Sequence, residues 1–81
     1  MNERIQQLAE QATEYANEQN ELHGVDYVMT FKEKFAELIV GECLKIAKNR
    51  EDEFESAGLL EESNAVGNVA YRISRQFGVK R

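Results

Sequence analysis

One glutamate breaks the pattern of the most apolar stretch of this sequence. Residues 30–47 carry apolar side chains over about two-thirds of the circumference of a helix, and Glu42 falls inside that arc. A buried carboxylate must be paired, neutralised or placed at an edge. It would suit a general acid or base, or a metal ligand, if a second carboxylate or a histidine stood at ligand spacing on the same face. None does, so we expect Glu42 to pair with an arginine, a helix N-terminus or a subunit boundary.

The single histidine and the single cysteine also lack partners for chemistry. His23 stands beside Gly24 at a predicted helix end, where it can cap the last carbonyls. Without a second imidazole or an identifiable nucleophile, neither a zinc site nor a hydrolytic triad is supported. Cys43 lies in the apolar arc, and we predict that it is a small buried hydrophobe. We therefore expect no enzymatic activity, no metal and no cofactor.

The best candidate for a binding site is one face of the last predicted helix. Tyr71 and Arg75 are one turn apart, Gly67 and Asn68 are adjacent, and Arg72 flanks them. An aromatic ring with guanidinium groups suits a phosphate, a nucleotide base or an acidic protein surface. The alternative is a solvated face with one amphipathic tyrosine. We predict Tyr71, Arg72 and Arg75 as the residues that bind a ligand or partner.

The composition predicts that these residues lie in a small all-α domain. The chain has 81 residues, no proline, 42% hydrophobic and 31% charged residues, which is ordinary for a folded domain. We predict a single domain, 1–81, with three helices at about 2–22, 31–57 and 63–77. A core this small is marginal unless the packing is good or the chain oligomerises.

Capping signals predict where the first two helices begin and end. Asn2 is a good N-cap, and Gly24 suits the position after a helix C-terminus. Thr30 followed by Glu33 forms a capping box, which predicts that the second helix begins there. The β-leaning segment 25–29 is then either a short extended connector or an edge that pairs with another chain.

The third helix has its own boundary signals. Gly58 ends the second helix, and Ser63 or Asn64 serves as the next N-cap. Gly78 followed by Val79 has the form of a Schellman ending.

Apolar periodicity assigns a face to each helix. The second helix is central, because an arc so wide needs cover from more than one side, and we predict Leu38 and Ile39 to be core. Gly41, inside this helix, marks a close helix crossing or is tolerated on its wet face. The first helix carries an apolar seam, which we expect to dock on the second helix: Ile5, Leu8, Ala12 and Tyr15. The third helix carries an apolar stripe: Val66, Val69, Ala70, Ile73 and Phe77.

The charge distribution limits the classes of partner. Residues 1–30 hold one arginine against six acidic residues, whereas residues 59–81 hold four basic residues against two acidic ones. General nucleic-acid binding usually needs a clustered basic face, so we do not expect it. No signal peptide or membrane-spanning run is present, and we expect a cytosolic protein. The wide apolar arc favours a homo-oligomer, most simply a dimer through helix two.

Three short blocks give the sequence a resemblance to a known group of proteins. The start MNERI with LAEQA, the middle block EKFAELIV followed by Glu42 and Cys43, and the ending Phe77-Gly78-Val79 resemble small accessory proteins of tailed bacteriophages. The blocks cover roughly a third of the chain, in the same order as in the group. Gly41 departs from that group's pattern, in which arginine is common, and residues 49–64 match nothing in it. The resemblance implies a phage accessory protein acting in the host cytosol, and it transfers no catalytic residue.

These observations lead to one main functional hypothesis and two others. The first is a non-enzymatic phage protein that binds a host component, such as a defence factor, and inactivates or redirects it. The second is a sponge that holds a small anionic ligand, a nucleotide signal, between subunits through Tyr71, Arg72 and Arg75. The third, an enzyme that uses Glu42 and His23, has the least support.

Overall fold

The described part of the chain, residues 2–80, folds into three α-helices. In this computed structural model α1 spans Glu3–His23, α2 spans Tyr27–Ser56 and α3 spans Leu60–Phe77, and residues 2–80 contain no β-strand. The predicted all-α class and the number of helices are therefore confirmed. The helix boundaries differ from the predicted ones mainly at the starts of α2 and α3.

The ends of α1 and the end of α3 follow the predicted capping chemistry. The Asn2 side-chain oxygen accepts hydrogen bonds from the backbone N–H groups of Arg4, at 2.8 Å, and Ile5, at 3.4 Å. Gly24 and Gly78 have φ of 65° and 66°, the left-handed conformation that costs glycine no Cβ clash. Beyond Gly78, the Val79 N–H donates to the Ser74 carbonyl at 3.2 Å, which is the longer of the two hydrogen bonds of a Schellman ending.

The start of α2 is a correction to the sequence prediction. The helix begins at Tyr27, and the Asp26 carboxylate accepts a hydrogen bond from the Met29 N–H at 2.8 Å, as an N-cap does. Thr30 already lies in the first turn, and its hydroxyl donates to the Asp26 carbonyl at 2.7 Å. The predicted Thr30 cap is therefore wrong. The extended connector across 25–29 is wrong as well, because only residues 24–26 separate α1 from α2.

The start of α3 also comes earlier than predicted. α2 ends just before Gly58 as expected, but α3 begins at Leu60 with Leu59 at the cap position and no side-chain cap hydrogen bond. Ser63 is not a cap. It is buried inside α3, and its hydroxyl donates to the Glu51 carbonyl at 3.1 Å. Asn64 is likewise an exposed residue within the helix.

Two compact units make up the chain, Met1–Ile39 and Val40–Arg81, and α2 contributes to both. In the first unit the buried side chains are Leu8, Ala12 and Ala16, which confirms part of the predicted α1 seam. The same seam leaves Ile5 and Tyr15 partly exposed.

The second unit is built around small residues of α3. Leu44 of α2 and Ser63, Gly67 and Ala70 of α3 are all buried. A Cβ atom added at Gly67 would lie 3.0 Å from a carboxylate oxygen of Glu51, so the two helices approach closely there. Small side chains at a spacing of four and three allow this approach.

The predicted apolar stripe of α3 is largely displaced from this contact. Val66 and Ile73 are half-buried, whereas Val69 is 57% exposed and Phe77 is 63% exposed. Of the stripe, only Ala70 is fully covered.

α2 is much more exposed than its apolar arc predicted. Leu44 is its one buried residue, and the predicted core residues Leu38 and Ile39 are half-buried. Cys43 is exposed, so the prediction of a buried thiol is wrong. Ile46 is 68% exposed. Gly41 does not mark a close crossing, because an added Cβ would meet nothing within 4 Å.

Candidate functional site

The residues predicted to bind a ligand lie together on one side of α3. Tyr71, Arg72 and Arg75 line an open depression on α3, and Asn68 and Gln76 complete its lining. The 3 and 4 residue spacings place these side chains on neighbouring turns of one helix. We call this set of five residues the α3 face.

The Tyr71 ring and the Arg75 guanidinium already contact each other. The Arg75 Cζ lies 5.9 Å from the centre of the Tyr71 ring, which is within the range of a cation–π interaction. Tyr71 is 54% exposed and both arginines are exposed, so these side chains are accessible to a binding partner. Tyr71 is therefore not part of the buried core.

The positive charge of the α3 face is not neutralised nearby. Among residues 2–80, neither Arg72 nor Arg75 lies within ion-pair distance of a carboxylate. Both guanidinium groups thus keep donor positions available for an anion, beside a Tyr71 side chain that is 54% exposed. The chemistry that fits is a phosphate or carboxylate held by arginine donors, with a flat group placed against Tyr71.

The other residues singled out from the sequence do not form a chemical site. Glu42 is half-buried, and its carboxylate lies 3.8 Å from the Lys45 Nζ in the next turn of α2. His23 is the exposed last residue of α1, beside the Gly24 cap. Within residues 2–80, no three histidine, cysteine, aspartate or glutamate side chains are grouped so that they could hold a metal ion.

A second depression, in the first unit, was not predicted from the sequence. It is a cleft of about 250 Å³ between α1 and the beginning of α2. The Lys34 side chain in this cleft already has partners within the chain. Its Nζ lies 4.6 Å from the centre of the Tyr15 ring and 3.5 Å from a Glu37 carboxylate oxygen. One lining residue was indicated by periodicity, since Tyr15 belongs to the α1 seam that was expected to dock on α2. We assign no ligand to this cleft.

Comparisons with known proteins identify no relative. No protein-family model, no curated protein and no solved structure matches this chain. The resemblance to tailed-bacteriophage accessory proteins therefore stays a prediction from the sequence. Across residues 2–80, none of the helices combines the length and the apolar character needed to span a membrane.

Proposed function

We propose that this chain is a non-enzymatic interaction protein of a tailed bacteriophage that binds a host component through the α3 face. The observation that carries the proposal is the set of two exposed guanidinium groups beside an exposed tyrosine, with no carboxylate paired to Arg72 or Arg75 within residues 2–80. Such a set is suited to an acidic protein surface, since arginine and tyrosine both give large contact area and directed hydrogen bonds. The sequence resemblance supplies the phage origin and the host cytosol as the place of action.

Self-association is the second part of the proposal. Apolar side chains of α2 that stay exposed or half-buried, Ile46 and Ile39 among them, support a homo-oligomer, most simply a dimer through α2. Two copies of the α3 face on one particle would allow a host protein to be held at two points, which raises the overall affinity without new contacts.

A nucleotide-binding sponge is the second candidate function. The position of Arg75 beside the exposed Tyr71 ring favours it, because a base can stack on an aromatic ring while guanidinium groups hold phosphates. In this case the ligand would lie between subunits, and the α3 faces of two copies would both contribute.

One pair of variants separates these candidates from a plain solvated surface. The protein partner should be captured from host lysate by the tagged wild-type chain and lost with Tyr71→Ala and with Arg75→Glu. Charged hydrogen bonds contribute about 1.5–3 kcal/mol, so reversal at Arg75 should weaken binding at least tenfold. The matched control is Lys48→Glu, which makes the same charge change at an exposed position of α2.

The readouts also distinguish the two ligands. A sponge should release a small molecule that absorbs in the ultraviolet when the purified wild-type protein is heat-denatured, and the Arg75→Glu protein should release much less. Melting temperatures of both variants should stay close to that of the wild type, because exposed substitutions usually change stability by less than about 0.5 kcal/mol. Unchanged capture and no released molecule, with unchanged melting, would return the α3 face to ordinary surface.

A further inference from the structure

One side of α2 carries a strip of side chains that the chain leaves exposed or half-buried. Positions separated alternately by four and three residues stay on one side of a helix, as in a coiled coil. This spacing selects six residues of α2, which we call the α2 strip: Val28, Lys32, Phe35, Ile39, Glu42 and Ile46.

The strip lies away from the buried side of its helix. Leu44, the buried residue of α2, is about 160° from the centre of the strip at 100° per residue. No strip residue is buried: Val28 is 56% and Ile46 is 68% exposed, and Phe35 and Ile39 are half-buried. Four apolar side chains in register along about 27 Å of helix form a surface that a soluble protein usually covers with a partner.

The strip is complementary to itself when a second copy lies antiparallel. With the two-fold axis beside residue 37, Phe35 opposes Ile39 of the second copy, and Val28 opposes Ile46. The same register sets Lys32 opposite Glu42 of the second copy. Every layer then joins two apolar side chains or two opposite charges, and the symmetry repeats each layer.

Other alignments lose this complementarity. A parallel pair would place Lys32 on Lys32 and Glu42 on Glu42, and such like-charge contacts oppose association. In the antiparallel pair, sliding one helix by seven residues in one direction would set Lys32 against Phe35 of the second copy. Sliding it by seven residues in the other direction would set Glu42 against Ile39. A polar position in a coiled-coil seam fixes register and orientation in this way.

We propose that a second copy of this chain packs on the α2 strip as an antiparallel, two-fold symmetric helix pair. This rests on the self-association proposed above and names its surface, orientation and register. α2 is already helical in the single chain, so association does not have to order it. Glu42 keeps its contact with Lys45, because the two oxygens of a carboxylate offer several acceptor positions.

Charge reversal at the paired positions tests the register. Lys32→Glu would set glutamate against Glu42 of the second copy, and Glu42→Lys would set lysine against Lys32. Each variant alone should dimerise at least tenfold more weakly than the wild type in light scattering across a micromolar concentration series. The double variant should recover the wild-type mass of twice the 9.3 kDa chain. An equimolar mixture of the two single variants should recover it too, because their charges are complementary.

Glu55→Lys is the matched control, since it makes the same charge change at an exposed position on the opposite side of α2. It should dimerise like the wild type, and circular dichroism should show unchanged helix content for all variants. A wild type that is a monomer at every concentration refutes both self-association and the strip. Wild-type oligomers that neither single variant weakens refute the strip alone and leave self-association through another surface. Failure of the mixture to associate, when each single variant is weakened, refutes the antiparallel register.

Discussion

Two glycines inside helices provide a sharp test of the packing, because their surroundings differ. A Cβ added at Gly41 would meet nothing within 4 Å, whereas one added at Gly67 would meet the Glu51 carboxylate at 3.0–3.3 Å. Glycine in a helix interior costs about 1 kcal/mol relative to alanine. Gly41→Ala should therefore raise the free energy of unfolding by about 1 kcal/mol. Gly67→Ala should raise it by less, since the new methyl group has to push the Glu51 carboxylate aside by a few tenths of an ångström.

The measurement is urea unfolding followed by circular dichroism, at one protein concentration so that any self-association contributes equally. A gain of about 1 kcal/mol corresponds to a rise of about 4–8 °C in Tm for a domain of this size. The reverse control is Ala65→Gly at an exposed position of α3, which should lose about 1 kcal/mol. The reasoning fails if Gly41→Ala destabilises the protein, which would mean that another part of the chain or a second copy contacts that position. It also fails if Gly67→Ala stabilises as much as Gly41→Ala.

Two further pairs of substitutions test the helix boundary and the core described above. Asp26→Ala should lower the free energy of unfolding by about 1 kcal/mol through loss of the N-cap. Thr30→Val should lower it much less. If urea unfolding shows the larger loss for Thr30→Val, then Thr30 is the cap after all. Leu44→Ala should lower the free energy of unfolding by about 2–5 kcal/mol, because the Leu44 side chain is buried. Leu60→Ala, at an exposed position, should change it by less than about 0.5 kcal/mol. Equal losses for the two variants would mean that the core is misplaced.

Helix ends were predictable from the sequence where a single residue decides the geometry. The Asn2 side chain can accept hydrogen bonds from the first N–H groups of a helix, which suits an N-terminus. Gly24 and Gly78 lack a Cβ and adopt the left-handed conformation that ends a helix. The start of α2 was not predictable in this way, because two caps competed. Thr30 and Glu33 matched the capping-box pattern, but Asp26 caps the helix four residues earlier, and the helix overrides the β-preference of the residues between them.

Burial was harder to predict than helix position, for a physical reason. Periodicity shows which side chains share a face, but it does not show whether anything covers that face. Cys43 and Ile46 share the apolar arc of α2 and are nevertheless exposed. In α3 the opposite error occurred, since Ser63 and Gly67 are too small to register as an apolar stripe and yet form the contact. The spacing of Ser63, Gly67 and Ala70, four and then three residues, was the available signal.

The candidate site was predictable in its position and remains a prediction in its function. Tyr71, Arg72 and Arg75 could be placed together because a helical turn fixes their neighbourhood, and the structure leaves them exposed. The identity of a bound ligand depends on the surface of that ligand, and the spacing of residues in this chain does not describe it.

The unbroken length of α2 also restricts how this sequence can change over evolutionary time. Inserting or deleting one residue after Ile39 would rotate Glu42 and Ile46 by about 100° relative to Val28, and the α2 strip would no longer lie on one side. Point substitutions can be accepted one at a time along this helix, but a change in its length alters every later position at once. A change in the length of the short turns at 24–26 and 57–59 does not rotate one part of a helix relative to another. We therefore expect length variation among descendants of this chain to collect at those turns and to spare the interval between residues 28 and 46.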